Sequence, residues 1–452
     1  MLLTAEPVLW DRFRGHNGSG VSSATGLPVE FGPTTNVIWK ASVPFGRSSP
    51  VLTAGRVFLT ASEATRLITL CLDRKTGRLL WRREIERTRV SSTYKNNDPA
   101  SPSPATDGSN VYAFFADFGL ISYDNKGRER WRLPLGPFDT FYGLGSSPVL
   151  HGGLLALVCD GRSGAFVIGV DKDTGREHWR VDRKEIHWEG HATPVVWSGQ
   201  LLVLGANRLD AYAVETGERL WWVRGLGFLP VASPVLAGDL ALVSTFGDDA
   251  PSGPTFDEWL KYDKNADGKL SKNEVPDFDE FDAIDRNRDG FIDREEWDQL
   301  RNAGVGQYGT VAIRLSKDAR GDRTSDAFAW REKKNYPTFS SALVYQDVLY
   351  FAKSAGGVLV SMNPRTGETH EVGRSREAMD NYFSSPVAAD GKIYFVNDAG
   401  KATVVEAGAK WKILRVNDLG EECYASPAVA PGRLYWRTRG TLYAFGKQVK
   451  AE

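Results

Sequence analysis

The stretch "SSPVLHGGLLALV" at 146–158 decides the fold. A short apolar run enters a glycine turn and a second apolar run follows at once, which reads as a strand, a tight turn and another strand. Seven further stretches repeat the phrase: "SSPVLTAGRVFLT" at 48–60, "PSPATDGSNVYAFF" at 102–115, "ATPVVWSGQLLVL" at 192–204, "ASPVLAGDLALVS" at 232–244, "SSALVYQDVLYFA" at 340–352, "SSPVAADGKIYFV" at 384–396 and "ASPAVAPGRLYWR" at 425–437. Aligned on Pro50, Pro104, Pro148, Pro194, Pro234, Ala342, Pro386 and Pro427, they step by 54, 44, 46, 40, 108, 44 and 41 residues. Only the fifth step is anomalous.

A third apolar run and a closing element follow each phrase: "TGRLLW" ending at Trp81, "KGRERW" at Trp131, "TGREHW" at Trp179, "TGERLW" at Trp221, and degenerate forms at Glu371 and Trp411. Four strands in about 45 residues make a propeller blade. The last repeat stops at "GTLYAFGKQ" with no fourth strand, while "NVIWKASV" at 36–43 is an orphan strand. Pairing the two closes the ring and removes an exposed edge. The expected fold is all-β, an eight-bladed β-propeller closed by an N-terminal strand, with a small helical insertion in blade five. Trp81, Trp131, Trp179, Trp221 and Trp411 are read as inter-blade packing, because a flat side chain repeated at one position serves the repeat and not a unique site.

The long fifth step contains "DKNADGKLSKNE" at 263–274 and "DRNRDGFIDREE" at 285–296. Oxygen side chains at positions 1, 3 and 5, glycine at 6 and glutamate at 12 form the pattern of an EF-hand calcium loop, whose sharp turn at position 6 suits a residue without a Cβ. The expected ligands of two calcium sites are Asp263, Asn265, Asp267, the Lys269 carbonyl, Ser271 and Glu274, then Asp285, Asn287, Asp289, the Phe291 carbonyl, Asp293 and Glu296. A plain solvated acidic loop is the weaker alternative, since two full patterns occur in tandem. The resemblance to EF-hand domains covers about 255–302 and departs from that family in the short linker Val275–Ile284, read as one shared or truncated helix with Pro276 in its first turn. The expected organisation is an N-terminal arm at 1–35, the closing strand and blades to the first half of blade five at 36–250, an EF-hand pair at 251–306, and the rest of the propeller at 307–452.

With a net charge of −1, no global field draws nucleic acid or anionic lipid. The acids gather locally, fifteen against seven bases between 255 and 300. Cys71, Cys159 and Cys423 lie far apart in apolar strands and read as small core residues. No run reaches the length of a membrane span, and "MLLTAEPVL" lacks the regions of a signal peptide. The expectation is a monomeric bacterial protein, periplasmic or secreted, whose export signal has been removed.

The strings "CLDRKTGRLLW" at 71–81 and "GVDKDTGREHW" at 169–179 resemble the pyrroloquinoline quinone (PQQ) repeat of quinoprotein dehydrogenases and of BamB, the propeller subunit of the outer-membrane β-barrel assembly machinery. The opening "WDRFRGHNGSG" followed by "NVIWKASVP" is similar to PQQ-binding-like, BamB-like repeat proteins. For a dehydrogenase, the resemblance implies a disulfide between adjacent cysteines against the cofactor and a calcium held by Glu, Asn and Asp; this chain has no such cysteine pair. It also lacks a nucleophile elbow, a phosphate loop and a HExxH helix. "HWEGH" at 187–191 reads either as a transition-metal site or as ordinary loop histidines.

Propeller function sits on the loops at one end of the ring. Loops between blades, and loops joining second to third strands, emerge on one face, which collects Arg47, Tyr94, Asn96, Tyr142, His187, Trp188, His191, Tyr336, Tyr382 and Tyr424. The calcium module projects from the same face as a cap or wall. The first functional reading is a binding or scaffolding module for a protein, glycan or small ligand. The alternative is a PQQ-dependent dehydrogenase or other redox enzyme.

Overall fold

The computed structural model describes residues 8–447, except 92, 163, 185–187, 252, 276, 279–280 and 304. Eight antiparallel sheets succeed one another along the chain, each built on four strands. Blade 3 is representative, with Val149–His151 innermost, then Leu154–Cys159, Phe166–Asp171 and Glu177–Asp182. Leu154–Cys159 is buried along its whole length because neighbouring blades cover both of its faces, so it reads as continuous apolar sequence. Glu177–Asp182 meets solvent and alternates, with Trp179 as its buried residue.

Blade 8 takes Ala428–Ala430, Arg433–Arg437 and Thr441–Phe445 from the C-terminal end and Val37–Ser42 from the N-terminal end. Val37 pairs with Phe445 and Ser42 with Thr441, so the ring is closed by the N-terminal strand as expected. The three cysteines are buried and unpaired. Among the described residues no helix is long and apolar enough to cross a membrane.

Trp81, Trp131 and Trp179 each reach into the following blade, donating the indole N–H to the carbonyls of Asn125, Lys172 and Val214 at 3.1, 2.9 and 2.9 Å. The ring then lies flat on the glycine of the next closing turn. A Cβ at Gly175 would stand 2.5 Å from the Trp131 ring, and φ there is +73°, so the position requires glycine. Trp39 and Trp330, which the repeat reading did not include, dock in the same way on the carbonyls of Arg74 and Pro364. Two of the expected packing residues depart from the pattern. Trp221 donates to Gln200 Oε1 of its own blade at 2.8 Å, because blade 5 replaces the glycine turn with an excursion whose strand Gly321–Asp322 runs parallel to Trp221–Trp222. Trp411 packs against Gly373 of the preceding blade, because the last two strands of blade 8 come from opposite chain ends and no turn joins them.

Around the axis, one hydroxyl per blade links to the next. Each accepts the backbone N–H of its counterpart in the preceding blade: Ser49 to Ser103, Ser103 to Ser147, Ser147 to Thr193, Thr193 to Ser233, Ser233 to Ser341, Ser341 to Ser385, Ser385 to Ser426, and Ser426 back to Ser49, all at 2.9–3.0 Å. These residues immediately precede the eight alignment positions.

The N-terminal arm lies across the opposite end of the channel. Val8–Trp10 adds to the inner edge of blade 1, Thr106 N–H of blade 2 donates to Asp11 O at 2.8 Å, and Asn17 exchanges two hydrogen bonds with Val196 of blade 4. The arm continues past blade 6, where the buried Arg14 donates to Ala342 O, to Ala388 of blade 7, whose N–H donates to Gly20 O at 2.8 Å.

Two outcomes follow for stability. Ser385→Ala leaves the buried Ser341 N–H without an acceptor and should cost about 1–3 kcal/mol in denaturant unfolding, whereas Ser385→Thr, matching Thr193, should retain most of it; equal losses would show that the hydroxyl is not what matters. Deleting residues 1–44 exposes Thr441–Phe445 as an open edge, and the truncated chain should aggregate on size-exclusion chromatography. An unchanged elution and melting curve would contradict the closure.

Candidate functional site

Side chains alternate along an extended strand, so residues two apart face the same way. Two residues before each ring hydroxyl stand Arg47, Ser101, Gly145, His191, Val231, Phe339, Phe383 and Tyr424. All eight line a cavity of about 520 Å³ together with the hydroxyl ring, and Phe13 of the arm forms part of its wall. With the arm across the far end, the cavity is a funnel open at one mouth.

The funnel is uneven. On one side Phe246, Phe339, Phe383 and Tyr424 form a continuous arc, with successive ring centroids 5.7, 5.2 and 5.6 Å apart. Arg47 extends the arc with its guanidinium 4.5 Å from the Tyr424 centroid, donating to Lys95 O at 3.0 Å and standing 3.9 Å from the Asp98 carboxylate. On the other side Ser101 and Gly145 are small and leave a notch bordered by Tyr94, Asn96, Phe141 and Tyr142. Tyr94 and Tyr142 meet edge to face at 5.6 Å, and Tyr142 meets the His191 ring at 6.2 Å.

Of the residues expected at the mouth, Arg47, Tyr94, Asn96, Tyr142, His191 and Tyr424 line the funnel. Three others are placed elsewhere. Tyr382 is buried between blades, with its hydroxyl donating to Ala378 O at 2.8 Å. Tyr336 packs on Tyr308, ring centroids 6.5 Å apart, away from the cavity. Trp188 meets Phe228 and carries the Arg286 guanidinium 5.3 Å over its ring. His187 lies outside the described residues. The expectation rested on loop membership, and only the strand register decides which loop residues turn inward. Phe339 and Phe383, which it omitted, are found by counting two back from the ring serines.

"HWEGH" acts as a staple in this structure. Glu189 is buried, and its two carboxylate oxygens accept the N–H groups of Phe141 and of Tyr142, the latter at 2.8 Å. This fixes the notch loop to the next inter-blade loop. Burial pushes Glu189 up to about 7 against the pull of these N–H groups and of Arg162. Burial holds His191 down at about 4, offset in part by a hydrogen bond to the Gly143 carbonyl, so the imidazole is neutral at pH 7. Among the described residues, no three His, Cys, Asp or Glu side chains are grouped so as to hold a metal ion.

The chain between the second and third strands of blade 5, Leu240–Thr245 and Gly309–Arg314, carries short helices: α1 (Phe256–Trp259), α2 (Phe281–Ile284) and α3 (Arg294–Ala303). Thr255 and Glu258 form a capping box at α1. Leu270 pairs with Ile292 and Ser271 with Phe291 in a two-residue ladder. A separate core of Phe256, Leu270, Val275, Phe281, Ile284, Ile292 and Trp297 holds the segment together, with Trp259 and Trp297 4.3 Å apart.

The two acidic loops repeat each other's bonding. Asp263 accepts the Gly268 N–H at 2.9 Å and Asp285 the Gly290 N–H at 3.0 Å. Glu274 accepts the N–H groups of Lys264 and Ser271 at 2.9 and 2.8 Å, and Glu296 those of Arg286 and Asp293 at 2.8 and 3.3 Å. Asn265 and Asn287 accept the N–H groups of Asp267 and Asp289. The second loop also touches the mouth. Arg288 pairs with Asp139, which pairs with Arg162 at 2.9 Å, and Arg162 donates to the Asp282 carbonyl. Asp139 stands two residues before Phe141 in the notch loop.

Glu189 supplies a test by titration. Its value in the fold lies above its ordinary 4.5, so its contribution to stability is full below pH 4.5 and is lost as the pH rises through about 7. Glu189→Gln does not ionise and should flatten the melting temperature across this window, removing a dependence on the order of 3 kcal/mol. Parallel curves for the two proteins would mean that another group titrates.

Comparison with known proteins agrees with this architecture. The crystal structure of BamB from Moraxella catarrhalis is 14% identical, covering 91% of this chain and 99% of its own, with a TM-score of 0.57. A europium-containing methanol dehydrogenase is 10% identical, covering 98% of each chain, also with a TM-score of 0.57. At these identities the likeness is one of fold. No curated protein sequence matches the chain. The family described as outer membrane protein assembly factor BamB matches residues 29–250 and 163–451. These ranges take in all eight blades, and the chain belongs to that family.

Proposed function

We propose that this protein is a binding or scaffolding propeller of an exported compartment, periplasmic or secreted, with the funnel as its receptor for part of a protein, a glycan or a small molecule. The observation that carries this reading is the funnel's lining. Aromatic rings provide contact area, and Arg47, Asn96 and hydroxyls provide hydrogen bonds, the combination expected of a recognition pocket. Among the described residues its lining contains no carboxylate, and the neutral His191 is held by a hydrogen bond to the Gly143 carbonyl. The family's description as an outer membrane protein assembly factor supports a protein partner and an exported setting.

The alternative is a PQQ-dependent dehydrogenase, favoured by the fold shared with a methanol dehydrogenase. The residues present do not fit a metal and quinone pair at the funnel. Among the described residues its lining offers no acidic ligand, and Cys71, Cys159 and Cys423 are buried apart, in blade 1, in blade 3 and in the loop between blades 7 and 8. Adding PQQ and calcium should therefore give neither stoichiometric quinone uptake nor dye-linked oxidation of alcohols or sugars. Uptake with dye reduction would overturn the binding reading.

The helical segment of blade 5 fits, in this reading, a compact EF-hand pair that forms one wall of the mouth. Three features support it: glycine at φ +78° and +87° at the sixth loop position, matched bonding in both loops, and a buried Asp285 Oδ1 without a hydrogen-bond partner among the described residues. The closing glutamates hold loop N–H groups and must exchange them for the ion. Bound calcium would supply a hard positive centre for oxygen ligands and offset the local negative charge. The contacts of Arg288 and Arg162 with Asp139 suit a structural role for the module.

Calorimetry should then find two calcium sites, with Glu274→Gln and Glu296→Gln each weakening one site by tenfold or more, since the bidentate closing ligand is lost. Fewer than two sites in the intact chain would count against the assignment.

A further inference from the structure

We infer that the funnel receives an anionic, oxygen-rich head group, a carboxylate above all, carried end-on by an apolar body, either a small organic acid or the free C-terminus of a peptide. This rests on the reading of the funnel as a binding site and specifies what it binds.

The first argument is the state of the hydroxyl ring. A serine or threonine hydroxyl has one proton to donate and two lone pairs to accept with. Each of the eight accepts a backbone N–H, each is at least 95% buried, and all line the cavity. Among the described residues none of them donates a hydrogen bond to the protein. Eight unspent O–H donors therefore surround one lumen. They face a funnel open to solvent at its mouth, and a ligand rich in acceptor oxygens replaces water on several of them at once.

Charge points the same way. Among the described residues Arg47 is the one charged side chain in the lining, because burial keeps His191 neutral and neither Asp nor Glu lines the cavity. Asp98 lies behind Arg47 at 3.9 Å, but its charge is shared with the buried Arg437 and its carboxylate also accepts the Ala100 N–H at 2.8 Å and the Ser101 hydroxyl at 3.3 Å. Tyr424 lies against the guanidinium at the end of the aromatic arc, where it can meet a carboxylate by a charge-assisted hydrogen bond.

Shape fixes the rest. Phe339 and Phe383 face the lumen beside Arg47 and the ring, so one ligand can place its oxygens on the donors and its apolar flank on the rings. The arm across the far end prevents a chain from threading through, which favours a terminus or a compact molecule over an internal segment. About 520 Å³ is ample for either.

The test uses the full chain with the exposed Lys95→Cys, beside the mouth but outside the lining, labelled by an environment-sensitive dye, the native cysteines being buried. The probes are 4-phenylbutyrate, 4-phenylbutyramide, the tripeptide Gly-Gly-Phe as free acid and as amide, and maltotriose as a neutral glycan. An acid should bind at least tenfold tighter than its amide. Arg47→Gln should remove that preference, and Arg47→Lys should restore part of it. Preference for either acid supports the inference, and the tighter of the two identifies the source of the head group. Equal binding of acid and amide overturns it, as does an acid preference that survives Arg47→Gln. A response to maltotriose alone overturns it but leaves the funnel as a binding site. Silence toward every probe overturns it, and an unlabelled control by calorimetry with the same silence removes the binding reading as well.

Discussion

The hydrogen bond from a backbone N–H of one blade to a hydroxyl of the next is the interaction on which this architecture turns. Each blade could bury its apolar faces against a neighbour at a range of tilts, since apolar contact is non-directional. A hydrogen bond is directional, and eight of them in a closed circuit fix every inner strand at one height and one distance from the axis. The position two residues earlier in each inner strand then has a defined place above the ring, and the lining of the funnel follows from it. Tryptophan docking does the corresponding work at the outer edge, with Trp81, Trp131 and Trp179 reaching carbonyls of the next blade.

How much of this could be read from the chain depends on whether a feature repeats. The eight phrases, the closing strand at 37–42 and the packing tryptophans are periodic, and periodicity exposes them without any knowledge of contacts. Trp221 and Trp411 broke the pattern where a neighbouring blade lacks its glycine turn, a fact of the neighbour that no local reading of these residues contains. Three residues of the mouth were legible for a similar reason. Arg47, His191 and Tyr424 stand at a fixed offset from a repeating serine, whereas Tyr336 and Tyr382 are loop residues whose direction is set by irregular backbone. The serine ring itself was visible in every phrase as the residue before the anchor, but a hydroxyl in a strand has many local uses, and only the closed geometry shows one role for all eight. Phe13 had no signal, because the arm crosses the channel once and repeats nothing.

The helical segment of blade 5 illustrates where a propeller tolerates addition. It joins two strands already paired from Leu240–Arg314 to Thr245–Gly309, so its ends meet, and its own core of Phe256, Leu270, Ile292 and Trp297 owes nothing to the blades. Its contacts with the ring run instead through Asp139, Arg162 and Trp188, all on loops of blades 2 to 4. An insertion that begins in blade 5 thus reaches loops of blades 2 to 4, among them the notch loop held by Glu189.

The closing strand also has a consequence for the order of events in time. Val37–Ser42 must find Thr441–Phe445, partners separated by nearly the whole chain, and a contact of such sequence separation is among the slowest to form. Seven blades can be assembled from local pairings while the eighth is unfinished. Until Thr441–Phe445 exists, Val37–Ser42 lacks its ring partner, and the circuit between Ser426 and Ser49 stays open. The ring therefore registers its own completion, since the strand pairing that seals it is available only to a chain that has been made as far as Phe445.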